Sequence, residues 1–256
     1  FSLVHDDIED NGTERRHRPA LWTVWGKAQA INTGDALFTL SRMALHRLQD
    51  EGFSDARVLR LMRLYDETCL ELCEGQFMDI WTSEHDEWMS VDYYFDMIGR
   101  KTAALIAGSA EAGAVLATED EAVISAYRGF GWALGLAFQL NDVLLGIWGD
   151  QAQTGKETSD IATRKKTLPL IYALAEATGH DRQRLQAVLA QSDSELAADE
   201  VSEVLAILDR VGAQDYTRER ARQYRDEAIA QLESGGTVDR ASMERLTDVV
   251  RGVISA

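Results

Sequence analysis

Asp6, Asp7, Glu9 and Asp10 place four carboxylates within five residues, and Arg15, Arg16 and Arg18 follow within the next eight, in the stretch DDIEDNGTERRHRP. On a helix, Asp6 and Asp10 lie one turn apart on a single face, with Asp7 beside them. Carboxylates held that close repel each other unless a cation neutralises them. Hard divalent ions such as Mg2+ take oxygen ligands and often bridge a few carboxylates to substrate phosphates. The ordinary alternative is a solvated acidic helix end, but these acids continue the apolar run FSLV, which favours a partly buried helix. Arg15 and Arg16 fall just past the helix end. Their guanidinium forks suit phosphate oxygens, although pairing with Glu14 and Glu9 is open to them as well.

A second polar group interrupts an apolar helix in FQLNDVLLGIWGD, residues 138–150, where Gln139, Asn141 and Asp142 stand among Leu134, Leu136, Phe138, Leu140, Val143 and Leu144. Polar groups in such surroundings need partners, either a hydrogen-bond network or a metal. TGKETSDIATRKKTLP follows, carrying Lys156, Arg164, Lys165 and Lys166. An acidic group followed by a basic loop therefore occurs twice.

The elements that must position these residues read as helices. Leu37, Leu40, Ala44 and Leu48 recur at helical spacing, as do Leu61, Leu64, Thr68 and Leu72. Strand-like alternation with hairpin turns is absent. The pattern predicts helices over 20–49, 54–83, 87–116, 119–149, 167–178, 181–192, 199–211, 214–233 and 238–254, with breaks at 51–54, 179–181 and 234–237. No break is long enough to be a linker, so the expectation is one all-α domain over residues 1–256. The chain begins with Phe1, inside what reads as an apolar helix face, which predicts a preceding helical segment.

The bulk properties exclude some partners. With 43 acids against 26 bases the formal net charge is −17, a surface that a nucleic-acid backbone would repel. No apolar run reaches the ~18–20 residues that a membrane span needs. Cys69 and Cys73 are too few for a disulfide framework and read as small buried residues in a reducing, cytoplasmic setting. The six tryptophans read as packing or interface residues. His5 reads as a packed or capping histidine, not a base.

Taken together, LVHDDIED with RRHRP, then GRKTAAL, FQLND, GDQAQTGK and SDIATRKKTLPLIYAL, resemble in order the landmarks of the trans-isoprenyl diphosphate synthases, the polyprenyl synthetase family. The resemblance runs over essentially the whole chain. It implies an all-α bundle of long antiparallel helices around a cavity, a homodimer, and Mg2+-dependent condensation of an allylic diphosphate with isopentenyl diphosphate, with three Mg2+ ions per site. Residue by residue, it makes Asp6 and Asp10 metal ligands with Asp7 in support, and Asp142 the ligand of a further Mg2+. It assigns Arg15, Lys101, Lys156 and Lys165 to the allylic diphosphate or its leaving group, and Arg16 to isopentenyl diphosphate. Thr102 and Gln139 would line the reacting centre. Ionising an allylic C–O bond leaves a strongly anionic diphosphate, which metals and lysines stabilise. The departing diphosphate would accept the proton lost afterwards.

Three departures matter. The second motif of the family is usually Asp-Asp-x-x-Asp, whereas here Asp142 is followed by Val143, Leu144, Leu145 and Gly146. The upstream Gly-Gly-Lys-x-x-Arg segment that binds isopentenyl diphosphate is absent, as a missing N-terminal segment would explain. Phe1 and Ser2, five and four residues before Asp6, occupy the place where chain length is set. An aromatic there with no insertion between the aspartates resembles enzymes making C20 geranylgeranyl diphosphate, with C15 farnesyl diphosphate next. The weakened second motif also admits a class I terpene cyclase or prenyl-coupling enzyme, or a non-catalytic subunit that tunes another synthase.

Overall fold

The computed structural model describes residues 1–85, 88–149, 159–190, 195–236 and 239–253. The regular structure of the described residues is helical apart from one minimal hairpin. In chain order they form α1 (Ser2–Glu9), β1 (Glu14–Arg15), β2 (Arg18–Pro19), α2 (Leu21–Trp25), α3 (Lys27–His46), α4 (Asp55–Glu84), α5 (Val91–Ile98) and a π-helical turn (Gly99–Ala103). Then follow α6 (Ala104–Ala117), α7 (Glu121–Trp148), α8 (Ser159–Ala162), α9 (Leu168–Glu176), α10 (Gly179–Leu189), α11 (Ala198–Arg210), α12 (Ala213–Gly235) and α13 (Arg240–Val253). The backbone falls into two compact units, Phe1–Glu67 and Thr68–Ala256.

In the first unit, the expected helix over 20–49 is broken. Gly26 adopts φ +84°, a left-handed conformation that glycine takes without steric cost, and it separates α2 from α3. The apolar stripe expected on this helix does not form a core. Leu37 and Leu40 are exposed at 40% and 57%, while Ala30 and Gly34 are the buried residues of α3. Nor is the unit free of strands: β1 and β2 pair antiparallel, Arg15 opposite Arg18. Arg16 and His17 form the two-residue turn, both at positive φ (53° and 59°), as the twist of a tight hairpin requires. Periodicity could not reveal strands only two residues long. His5 packs as expected, its Nε2 3.3 Å from the Ile31 carbonyl oxygen.

The second unit is organised by α7. An 18-residue window of this helix reaches mean hydropathy 1.3, and 72% of that window is buried inside the protein, as befits a central core helix. Phe130, Leu134, Leu136, Leu140, Val143 and Ile147 line it, and each is buried. Three apolar clusters share it: one with α9, α10 and α11, one with α5 and α9, and one with α12 and α13. Each large aliphatic side chain so buried contributes about 1.5–3 kcal/mol. Asp120 caps α7 by accepting from the Ala122 N–H at 2.9 Å. Ser90 caps α5 by accepting from Tyr93 N–H at 3.2 Å, which starts the helix later than residue 87. Thr178 precedes α10, so residues 179–181 form its first turn and not a break. Of the cysteines, Cys69 is buried as expected but Cys73 is exposed, four residues on and just off the buried face of α4.

Candidate active site

In the first unit, α1 carries Asp6 and Asp7 and ends at Asp10, whose N–H bonds the Asp6 carbonyl at 2.9 Å. Asp7 is buried, Asp6 half-buried and Asp10 exposed. The tight hairpin turns the chain back so that Arg15 meets the acids. Its Nε donates to Asp7 Oδ1 at 2.7 Å and its Nη2 to Asp6 Oδ2 at 2.7 Å. Arg15 thus pairs with Asp6 and Asp7 directly, where the sequence suggested Glu14 and Glu9 as the alternative partners. Burial by itself pulls the guanidinium down. The hydrogen bonds and charges of Asp7 and Asp6 outweigh that and hold it above its ordinary value. Arg16 sits exposed in the turn.

The donors at this end of α1 are carboxylate oxygens alone, the set that suits a hard divalent ion. Among the described residues no three His, Cys, Asp or Glu side chains converge as a ready-made cage. That accords with Mg2+, which keeps waters and substrate phosphates as ligands and needs only one or two protein carboxylates. Asp6 and Asp10 supply the kind of oxygen ligand that such an ion takes.

The chain-length candidates lie at the other end of α1. Phe1 meets the ring of Phe38 edge-on, centroids 5.2 Å apart, and Phe38 meets Tyr65 at 5.9 Å. The Tyr65 hydroxyl bonds the Ser41 hydroxyl. Ser2 is half-buried in the first turn of α1. Sequence reading singled out Phe1 and Ser2 but missed Phe38. Only the packing of α3 on α1 reveals that Phe1 is backed by a second ring.

In the second unit, the π-helical turn presents Lys101 and Thr102. Such turns interrupt α-helices frequently at functional positions. α4 approaches this turn at Gly75, where a Cβ would stand 2.2 Å from the Lys101 nitrogen, so no larger residue fits. Lys101 Nζ donates to Asp79 Oδ2 at 2.5 Å, with both side chains mostly shielded from water. Thr102 Oγ1 donates to Gln139 Oε1 at 3.0 Å, joining the turn to α7. Gln139 lies three residues before Asp142, nearly one turn along α7. Asp142 is exposed, while its neighbour Asn141 is buried with its side-chain oxygen unpartnered.

Gly146 takes the place of the family's third aspartate. A Cβ there would stand 2.4 Å from Asp160 Oδ2. The space beside Gly146, one turn beyond Asp142, is thus filled by a carboxylate from α8. The Tyr94 hydroxyl records the same neighbourhood. Burial pushes it well above its ordinary range, a backbone bond at Leu168 partly offsets this, and the charges of Asp79, Asp160 and Asp142 push it further. Asp79, bonded to Lys101, and Asp160, beside Gly146, are acids that sequence reading did not single out. Neither belongs to an acidic run, so no local signal marked them.

Lys165 is exposed, its N–H bonded to the Asp160 carbonyl oxygen at 2.8 Å. Lys156 lies outside the described residues, as does most of GDQAQTGK.

The polyprenyl synthetase family model matches residues 1–208. The chain belongs to the polyprenyl synthetase family. Its relatives include a geranylgeranyl diphosphate synthase of Mycobacterium tuberculosis, 39% identical over 233 residues, which are 91% of this chain and 65% of that protein. The chain therefore spans just under two thirds of that relative's length. A crystal structure of a polyprenyl synthetase from Streptomyces coelicolor, 36% identical, superposes with TM-score 0.88 over 99% of this chain and 74% of the other. Another is that of a geranylgeranyl pyrophosphate synthase from Corynebacterium glutamicum, complexed with isoprenyl diphosphate and magnesium. It is 26% identical, with TM-score 0.84 over 99% of this chain and 75% of that one. The all-α reading and the resemblance stated from the motifs both agree with these matches.

Proposed function

We propose that this polyprenyl synthetase catalyses Mg2+-dependent head-to-tail prenyl transfer, joining an allylic diphosphate to isopentenyl diphosphate. The product is short, C20 geranylgeranyl diphosphate in preference to C15 farnesyl diphosphate. The observation that carries the reading is the bond between Thr102 and Gln139. It gathers onto α7 and the π-helical turn the residue types that ionisation of an allylic diphosphate needs: a lysine, two neutral oxygens and, on the next turn of α7, the Asp142 carboxylate.

Each residue has a part. Asp6 and Asp10, supported by Asp7, would hold Mg2+, and Asp142 would hold a further ion, three ions in all being needed for the reaction. When bound, Mg2+ stabilises the negative charge that develops on the departing diphosphate. Lys101, Lys156, Lys165 and Arg15 bind and orient the allylic diphosphate, and Arg16 binds isopentenyl diphosphate. To do this, Lys101 shares its ammonium between Asp79 and the ligand, and Arg15 shares its fork between Asp6, Asp7 and the ligand. Thr102 and Gln139 turn their side-chain oxygens toward the carbocation. Phe1 and Ser2 limit the length of the growing chain. Residues 1–256 act as one catalytic domain, as a homodimer in the cytoplasm.

Incubation of the protein with dimethylallyl diphosphate, isopentenyl diphosphate and Mg2+ tests this. Diphosphates of C15–C20 are expected, and a failure to extend the C5 primer at all would overturn the reading.

A further inference from the structure

Two lysines stand side by side after α8, and they behave differently. Lys165 is exposed, and among the described residues its ammonium bonds no side chain. Lys166 turns the other way. Its Nζ donates to the backbone carbonyl oxygens of Thr82 and His85 at the C-terminal end of α4, and it lies 5.6 Å from the centre of the Trp88 ring. The last carbonyls of a helix have no partners within it and carry the negative end of its dipole, so an ammonium there is doubly favoured. The indole face adds a cation–π attraction.

The segment before Lys165 is fixed as well. Arg164 N–H bonds the Ile161 carbonyl oxygen at 2.9 Å and Lys165 N–H bonds that of Asp160 at 2.8 Å, while Arg164 has φ +52°. That pair of bonds closing on a left-handed residue is the Schellman ending of a helix, a position glycine ordinarily fills. An arginine there is held against its backbone preference, so something beyond the turn must keep the chain in place. The Lys166 anchor lies two residues on. Thr167 N–H then bonds the Lys165 carbonyl oxygen at 2.7 Å, completing the bracket.

We propose that Lys166 is a positioning residue: by tying its loop to the C-terminal end of α4, it holds the neighbouring Lys165 ammonium where it meets a diphosphate. The proposal rests on the diphosphate-binding role given above to Lys165. It assigns to Lys166 no contact with substrate.

The experiment measures affinity for inorganic pyrophosphate with Mg2+, together with KM and kcat for dimethylallyl diphosphate, in the full protein. The variants are Lys165→Ala, Lys166→Ala, Lys166→Met, Lys166→Arg and the double variant Lys165→Ala/Lys166→Met. Lys166→Met keeps the apolar stem against Trp88 and removes only the charge, so it serves where Lys166→Ala disturbs folding. Misplacing a binding group by about an ångström can cost up to about a hundredfold, so Lys166→Met is expected to weaken pyrophosphate binding and raise KM by roughly tenfold. Lys166→Arg, which can still reach the carbonyls, is expected to restore most of the loss. The double variant is expected to bind no more weakly than Lys165→Ala, because the two residues act as one. The proposal is overturned if Lys166→Met binds pyrophosphate like the wild type while Lys165→Ala does not, or if the two losses add. If Lys165→Ala itself binds and turns over normally, the diphosphate role of Lys165 falls and takes the proposal with it.

Discussion

The acidic groups of the two units are assembled in different ways. In the first unit, Asp6, Asp7 and Arg15 meet across eight or nine residues of chain, through one short helix and one tight hairpin. In the second, Thr102 meets Gln139 across 37 residues, Lys101 meets Asp79 across 22, and Lys166 meets Thr82 across 84. The first group is a local device whose parts sit together in the sequence. The second exists only because α4, α5, the π-helical turn and α7 pack as they do. A local cluster survives changes elsewhere in the fold, whereas a long-range one depends on every helix that frames it.

The sharpest way to break the comparison is to remove one carboxylate from each group. Asp6→Ala and Asp142→Ala are each expected to lower kcat by roughly a hundredfold or more, the cost typical of losing a group that stabilises transition-state charge. Steady-state turnover at saturating Mg2+ checks both. Should Asp6→Ala alone abolish turnover, Asp142 is no metal ligand and the two groups are not equivalent.

Next in size is the bond that joins the π-helical turn to α7. Gln139→Ala leaves Thr102 without its acceptor, and a drop in kcat of roughly tenfold to a hundredfold is expected with a smaller change in KM. Equal changes in kcat/KM from a KM effect alone would make Gln139 a binding group instead.

Within the first unit, Phe38→Ala removes the ring behind Phe1. The expected outcome is a shift of product toward longer chains with turnover largely kept, read by the chromatographic length of the products. An unchanged product would mean that Phe1 is held without Phe38 or does not limit length.

The smallest effect should come from an ion pair outside both groups. Arg210 donates to both carboxylate oxygens of Asp181, at 2.8 and 2.7 Å, and the bond and charge hold that carboxyl below its ordinary range. A carboxylate depressed by folding adds stability above its unfolded pKa and loses it as the pH falls through the folded value. Arg210→Ala should therefore lower Tm slightly at neutral pH, and the difference from wild type should vanish in acid. A gap that widens in acid would reverse the assignment.

What the sequence made legible follows from range. The helices over 54–83 and 119–149 were readable because apolar residues repeat at helical spacing and each helix runs to its cap. Asp6, Asp10, Arg15, Gln139 and Asp142 stood out because unlike residue types crowd together or interrupt an apolar helix. The break at Gly26, the two-residue strands and the π-helical turn were not readable. Each is set by one or a few backbone angles and leaves no periodic trace. The pairing of Arg15 with Asp6 and Asp7 was half legible: the charges were visible, but their geometry depended on a turn through Arg16 and His17 at positive φ.

By itself, then, the sequence determined the all-α class, the polyprenyl synthetase resemblance and the two clusters of candidate site residues, because residue type and local spacing carry that information. Tertiary structure alone decided that Asp79 meets Lys101, that Phe38 backs Phe1, and that Asp160 fills the space beside Gly146. It also decided which of two adjacent lysines is spent on the fold. These are contacts between segments far apart in the chain, and only the packing of whole helices fixes which side chains share a neighbourhood.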